Sequence, residues 1–395
     1  MEFTPRVLKL LARNHWSKAF LKMRTIWNAG YRYGVANEKS ADPAAIRQLI
    51  ESELATFLAA QKKYLESIGS ELVPAADALV SFLLDGGKRL RPLFAYFGFL
   101  GAGGTHSQEV VRACASLELL QACALIHDDL MDGSDTRRGK PAIHKHFEKL
   151  HARESAVGSS VGFGQAAAIL LGDLALVYSD LALHQSGINT AVLPNVLAVH
   201  DEMRVELMAG QFLDIYEQTR SSHTVERALT IARYKSGKYT IERPLHFGAA
   251  MATTDKSLLA DVTSHYSSYG LPLGEAFQLR DDLLGVFGDP ELTGKPAGDD
   301  LREGKRTVLV AMAQESMSST DIKEFESLFG KSDLDLSGVE KLRTIINETG
   351  APTHVENLIS DLTNKATKAL DTPSITATAR QVLSDLAIIA TKRNL

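Results

Sequence analysis

From Ala41 onward, apolar residues recur at three- and four-residue steps through Leu-, Ala-, Glu- and Arg-rich stretches, broken by short Gly, Pro or Ser/Thr clusters. A repeat near 3.6 gathers those residues on one helix face, so the pattern predicts helices. The segments 44–68, 108–130, 164–184, 192–217, 224–239 and 258–287 are each long enough for several turns. Alternating β-branched runs are scarce, and no stretch is rich enough in Pro, Gly and Ser to act as a linker. The expectation is one all-α domain over 41–395, preceded by an extension over 1–40. Two polar stretches, 133–153 and 288–307, read as loops, and loops of that length in a compact domain are usually functional or disordered.

Composition narrows the class. With 395 residues, 45% hydrophobic, 23% charged and a net charge of -5, the chain falls outside disordered, collagen-like and supercharged proteins. Cys114 and Cys123 share one predicted helix about 13 Å apart, too far to bridge. Cys114 reads as a core residue, and a reducing, cytoplasmic compartment fits. The best candidate for a membrane span, 164–178, is short and interrupted by Asp173, so no crossing is expected. No basic-then-apolar leader with a small-residue cleavage site is expected either.

Two acidic clusters carry the chemistry. His127-Asp128-Asp129-Leu130-Met131-Asp132 closes the predicted helix 108–130, with Arg137-Arg138-Gly139 just beyond. Asp128 and Asp132 are one turn apart on a shared face, a costly like-charge pair unless a cation lies between them. Hard oxygen donors point to magnesium. Gln278-Leu279-Arg280-Asp281-Asp282 closes another apolar helix. Either cluster alone reads equally well as a solvated helix end; the two together, each beside basic residues, favour metal binding. Gly86-Gly87-Lys88-Arg89-Leu90-Arg91-Pro92 sets three cations at a Gly turn, which fits a solvated surface, a nucleic-acid contact or a diphosphate clamp. The negative overall charge and the lack of a basic stripe disfavour nucleic acid, and neither the Walker pattern nor the dinucleotide fingerprint occurs. His144, His146 and His151 lack a metal-binding constellation and read as solvated loop histidines.

In order along the chain, Gly87-Lys88-Arg89-x-Arg91-Pro92, Asp128-Asp129-x-x-Asp132 with Arg137-Arg138-Gly139, Gly210-Gln211-x-x-Asp214, Lys235-Ser236-Gly237 and Gln278-x-x-Asp281-Asp282 resemble the trans-isoprenyl diphosphate synthases. The likeness covers about residues 45–310. The run from Phe277 through Gly294-Lys295-Pro296-Ala297-Gly298-Asp299-Asp300 to Gly304-Lys305-Arg306-Thr307 is especially similar to geranylgeranyl diphosphate synthases of actinobacteria. The resemblance implies a helical bundle around a deep central cavity, a homodimer, and condensation of isopentenyl diphosphate with an allylic diphosphate. It implies Asp128, Asp132 and Asp281 as magnesium ligands, three ions per site, with Asp129, Asp282 and Asp299 in support. Arg137, Lys235, Lys295 and Gln278 match the allylic diphosphate site; Lys88, Arg91, Gln121 and Arg138 match the isopentenyl diphosphate pocket. No protein base is implied, because the released diphosphate is thought to take the proton.

One position departs from the family. The second motif normally carries a third aspartate four residues after the first, and here that residue is Gly285. Asp289 lies about 80° around the helix from Asp281 and does not replace it simply, which leaves Asp299 or water for the role. The resemblance implies that product tails grow beside the helix before the first motif and that large aromatics there stop them: Cys123 and Ala124 are small at those positions, while Leu120 and then Leu117 form a bulkier floor about one turn deeper. Geranylgeranyl diphosphate is the expected product, with farnesyl diphosphate as intermediate or co-product. The alternatives are a longer-chain synthase and a non-catalytic regulatory subunit.

Residues 1–34 hold seven Lys or Arg against one acid, and Trp16, Phe20, Met23 and Trp27 follow a four, three, four spacing. A helix there would be amphipathic and basic, suited to peripheral contact with an anionic bilayer; packing on the enzyme body or a disordered leader are the plainer readings.

Overall fold

The computed structural model describes residues 42–220, 224–289 and 298–392. The helices run in order α1 (Pro43–Ile68), α2 (Val73–Leu84), α3 (Leu90–Gly101) and α4 (Gln108–Met131), then a hairpin of β1 (Thr136–Arg137) and β2 (Lys140–Pro141). After it come α5 (Ile143–Arg153), α6 (Ser160–His184), α7 (Leu193–Gln218) and α8 (Val225–Ile231). The chain then stays helical but widens to a π-helical stretch over Ala232–Glu242 before α9 (Arg243–Ala252) and α10 (Lys256–Phe287). The remaining helices are α11 (Asp299–Glu303), α12 (Val308–Ser316), α13 (Ser319–Leu328), α14 (Leu336–Glu348), α15 (Ala351–Ala369) and α16 (Ala377–Thr391). Pro43–Leu395 forms one compact unit; residues 1–41, including the basic aromatic segment, lie outside the described residues.

Helix starts are encoded locally. Ser107, Ser159, Thr224, Asp255 and Thr307 each turn a side-chain oxygen onto N–H groups left open in the first turn of α4, α6, α8, α10 and α12. Burial then assigns the layers. Helix α4 is apolar around most of its circumference, and Cys114, Leu117, Leu120 and Cys123 are fully buried in it, as expected of the central helix of a bundle. It packs along α6, while α3 packs on α9, and α10 packs on the π-helical stretch and α15. A second cluster of buried residues joins the C-terminal half of α10 to α12, α13, α14 and α15.

The stretch 133–153 is not the open loop its polarity suggests. Its first half is the hairpin, in which Arg138 (φ 54°) and Gly139 (φ 73°) form a two-residue turn with both residues left-handed. Its second half is α5, whose buried face of Ile143, His144, Phe147 and His151 mixes histidines with apolar residues and so hides the period. His144 and His151 are buried there rather than solvated, and burial lowers the His144 pKa. The polar stretch 288–307 likewise contains α11. Both cysteines are buried and unbridged. Helices α4 and α6 are long and apolar enough to cross a membrane; α4 is mostly buried within the fold, whereas α6 is largely uncovered.

Candidate active site

The end of α4 presents the first cluster. Asp129 is fully buried and accepts a hydrogen bond from Arg137 Nε at 2.8 Å, with Nη2 of the same guanidinium on the same oxygen. The left-handed hairpin turn separates the tasks of the paired arginines. Arg137 turns in to Asp129, and Arg138 reaches back to donate to the carbonyls of Phe82 (3.2 Å) and Gly86 (3.3 Å) at the Gly turn before Lys88.

Helix α7 and the π-helical stretch bring the next groups. Gly210 lies so close to the π stretch that a Cβ there would stand 2.3 Å from Lys235 N. That approach lets Lys235 Nζ reach Asp214 Oδ2 at 2.5 Å and Asp128 Oδ1 at 3.2 Å, while Gln211 Nε2 donates to Asp128 Oδ1 at 2.9 Å. Burial alone would raise the Asp128 carboxyl, but Lys235, Lys305 and Arg137 outweigh it and hold the acid well below the usual carboxylate range. Asp132 is pushed up to about 6 by burial, against Lys305 and with Asp128 adding to the rise.

Lys305, which follows α11, joins the end of α4 to α11. Its ammonium lies 3.0 Å from Asp132 Oδ2, 2.6 Å from Glu303 Oε2 and 3.8 Å from Asp300 Oδ1. Glu303 is fixed in turn by Ser134 Oγ at 2.6 Å. On α10, Gln278 Nε2 donates to Asp282 Oδ1 at 2.7 Å. Burial pushes Asp282 up to about 8, with Gln278 opposing and Asp300 and Asp281 adding to the rise. The carboxylate nearest Gly285 belongs to Asp300, not to Asp299, which begins α11 one residue earlier. Arg280 points away from the cluster. It makes a two-pronged ion pair with Glu356 (2.5 and 2.6 Å) and donates to the Thr391 carbonyl at 2.8 Å, tying α10 to α15 and α16.

The basic turn before α3 divides as sharply. Arg89 is buried, left-handed at φ 53°, and paired with buried Glu118 at 2.7 Å, so it belongs to the scaffold. Lys88 is exposed, and Arg91 lies over the Tyr239 ring at 4.2 Å while donating to Thr240 Oγ1 at 2.7 Å. Gln121 Oε1, Arg91 Nε and the Tyr239 hydroxyl are buried without a hydrogen-bond partner, the condition of groups that await a polar ligand. Lys295 lies outside the described residues.

The donor set fits magnesium: carboxylate oxygens from two helix ends, surrounded by fixed cations. Among the described residues, no three carboxylate, imidazole or thiol groups converge on one point. That is expected for an ion that takes one or two carboxylates and completes its shell with water and substrate phosphate.

The sequence pattern of the polyprenyl synthetase family matches residues 74–347, more than half of the chain. The chain belongs to that family. It is therefore a prenyltransferase of the all-α isoprenoid synthase fold. A geranylgeranyl pyrophosphate synthase from Corynebacterium glutamicum, solved with isoprenyl diphosphate and magnesium, is 41% identical with a TM-score of 0.85, covering 89% of this chain and all of that one (100%). A short chain isoprenyl diphosphate synthase of Methanocaldococcus jannaschii is 31% identical over 280 residues, 69% of this chain and 78% of the relative. A geranylfarnesyl diphosphate synthase of Aeropyrum pernix is 29% identical, covering 78% of this polyprenyl synthetase and 91% of the relative.

Lys305, Glu303 and Asp300 are the site residues that motif reading left unassigned. Their signal was present in the run 298–307, whose Gly and Lys positions resemble the family, but only the fold shows that it returns to Asp132.

Proposed function

We propose that this chain is a magnesium-dependent geranylgeranyl diphosphate synthase, extending an allylic diphosphate with isopentenyl diphosphate. The observation that carries the reading is the convergence of Asp132, at the end of α4, with Asp300 on Lys305, and of Asp128 with Asp214 on Lys235, together with the buried, partnerless Gln121 Oε1 and Arg91 Nε. Asp128, Asp132 and Asp281, with Asp300 opposite, would hold magnesium, three ions when substrate is bound. Magnesium in that place supplies charge to a departing diphosphate. Arg137, Lys235 and Lys305 add fixed positive charge there without reorganising, and Lys295 is assigned to the same group by resemblance. Lys88, Arg91, Arg138 and Gln121 serve isopentenyl diphosphate.

We base product length on α4, where Cys123 and Ala124 are small and Leu120 and Leu117, both fully buried, are the bulkier side chains deeper along the helix. The test is incubation of purified protein with magnesium, isopentenyl diphosphate and dimethylallyl, geranyl or farnesyl diphosphate, followed by sizing of the products. A twenty-carbon product that disappears on chelation and lengthens in Leu120→Ala supports the reading. A twenty-five-carbon main product would make the chain a longer-chain synthase, and no product at all would make it a silent subunit.

The same proposal includes a homodimer. Leu170 (67% exposed) and Val177 (59%) on α6, with Val205 (69%) and Phe212 (68%) on α7, are apolar side chains left uncovered, which supports this reading. A second copy of the chain is the occupant we assign. It also includes a cytoplasmic location with peripheral membrane contact through residues 1–34, supported by their charge and aromatic spacing. Liposome flotation of the full chain against one starting at Ala41 tests this contact, and equal binding refutes it.

A further inference from the structure

We propose that Glu206 on α7 is a positioning residue for Lys235: it clamps the end of the π-helical stretch in its widened form and so fixes where Lys235, in the first turn of that stretch, meets Asp128 and Asp214. The inference rests on the prenyl-transfer reading above, in which Lys235 adds fixed positive charge. One carboxylate takes two cations. Glu206 Oε1 lies 2.6 Å from Lys238 Nζ and accepts from Arg243 Nη2 at 2.8 Å, while its Oε2 accepts from Arg243 Nε at 2.6 Å. Glu206, Lys238 and Arg243 have side chains only 14%, 13% and 9% exposed, so solvent screens the pairing little.

Lys238 and Arg243 are five positions apart, a spacing that in an α-helix turns two side chains about 140° away from each other. A π-helix bonds residue i to residue i+5, which sets the same pair one turn apart. The Arg243 N–H donates to the Lys238 carbonyl, so Glu206 joins through side chains the two residues that the last π bond joins through the backbone. An α turn closes one residue earlier. Relaxing this turn would rotate the residues before it by about 100° and shift them about 1.5 Å relative to α9, carrying Lys235 away from α7. Glu206 also stands one turn before Gly210, where α7 comes against the backbone of Lys235. From the other side, a Cβ on Gly274 of α10 would lie 2.5 Å from Gly237 Cα, so α10 bears on the backbone of the same stretch. Eight residues, about 12 Å along α7, separate Glu206 from Asp214, so its effect on the site runs through Lys235.

The test is a double-mutant cycle on the full chain. Wild type, Glu206→Gln, Lys235→Ala and Glu206→Gln/Lys235→Ala are assayed with magnesium, farnesyl diphosphate and isopentenyl diphosphate, and thermal melts check folding. Glu206→Gln keeps the shape and removes the charge. A displacement of roughly 1 Å at a positioned charge costs on the order of 100-fold, so kcat/KM should fall about 10- to 100-fold. In the Lys235→Ala background the same change should cost less than about threefold, because no ammonium is left to place. A purely structural role for Glu206 would lower turnover by the same factor in both backgrounds. Hydrogen exchange of the amides from 232 to 243, read without substrate, should quicken at least about tenfold in Glu206→Gln, the effect of losing hydrogen bonds to a charged group. If Glu206→Gln does not fold, Lys238→Met, which leaves Arg243 paired with Glu206 and Glu202, takes its place in the cycle. Losses that multiply in the double variant, or a Glu206→Gln enzyme within about threefold of wild type, overturn the proposal while the prenyl-transfer reading stands. A wild type that forms no prenyl product overturns that reading, and the exchange rates then test the clamp by themselves, unchanged rates overturning it.

Discussion

Gly210→Ala removes no chemical group, yet it should cripple the enzyme. A Cβ at 210 would stand 2.3 Å from Lys235 N, 2.7 Å from Lys235 Cα and 2.7 Å from the Tyr234 carbonyl carbon, all backbone atoms with no rotamer to yield. Ordinary contact between such atoms begins near 3.5 Å, so α7 and the π-helical stretch must part by about 1 Å. That shift strains three contacts at once: Lys235 to Asp214 at 2.5 Å, Lys235 to Asp128 at 3.2 Å, and Gln211 to Asp128 at 2.9 Å. Overpacking of this kind costs about 1–3 kcal/mol, and a misplacement of roughly 1 Å at a positioned charge costs on the order of 100-fold in turnover. Helix propensity argues the other way, since Ala in place of Gly in a helix interior gains about 1 kcal/mol. Urea unfolding and turnover with farnesyl and isopentenyl diphosphate separate the two forces. A Gly210→Ala enzyme that is more stable than wild type and turns over within about twofold of it would refute the close-approach argument.

Two further outcomes follow from buried charge. Glu118→Gln removes the closer of two carboxylates from the buried Arg89, at 2.7 Å against 3.6 Å for Glu51, while keeping the shape, and breaking such a pair costs about 3 kcal/mol. A drop in urea-unfolding free energy below about 0.5 kcal/mol would refute the scaffold role given to Arg89. His200 and His246 are each pushed down to about 4, mainly by burial, from an ordinary value of about 6.5. The unfolded chain therefore binds protons between those limits that the native rings refuse, so stability is complete above about pH 6.5 and falls as pH drops towards 4. The loss is on the order of 3 kcal/mol per ring. A stability curve that is flat or rises on acidification through that window contradicts the assignment.

The helices were legible because apolar residues recur at three- and four-residue steps through α1, α4, α6, α7 and α10, and α4, α6 and α10 begin at a side chain that caps them. Helix α5 was not, because histidines stand on its buried face, and a histidine is buried or solvated only by what packs over it. The first aspartate motif and the arginines after it could be read from spacing within one turn, since that geometry is local. The division of labour among like residues could not. Arg89 and Arg280 sit in motifs beside Lys88 and Asp281, yet tertiary contacts with Glu118 and Glu356 remove them from the chemistry.

Residue types and their spacing along single helices thus determined the all-α class, the paired carboxylates and the family likeness, because a helix brings residues one turn apart together wherever it lies. Which carboxylate meets which cation was decided by tertiary structure. Asp132 and Lys305 are 173 positions apart in sequence and 3.0 Å apart in space. Whether a glycine is a gap or a seat, as at Gly210, depends on what another element places against it, and no local pattern encodes that neighbour.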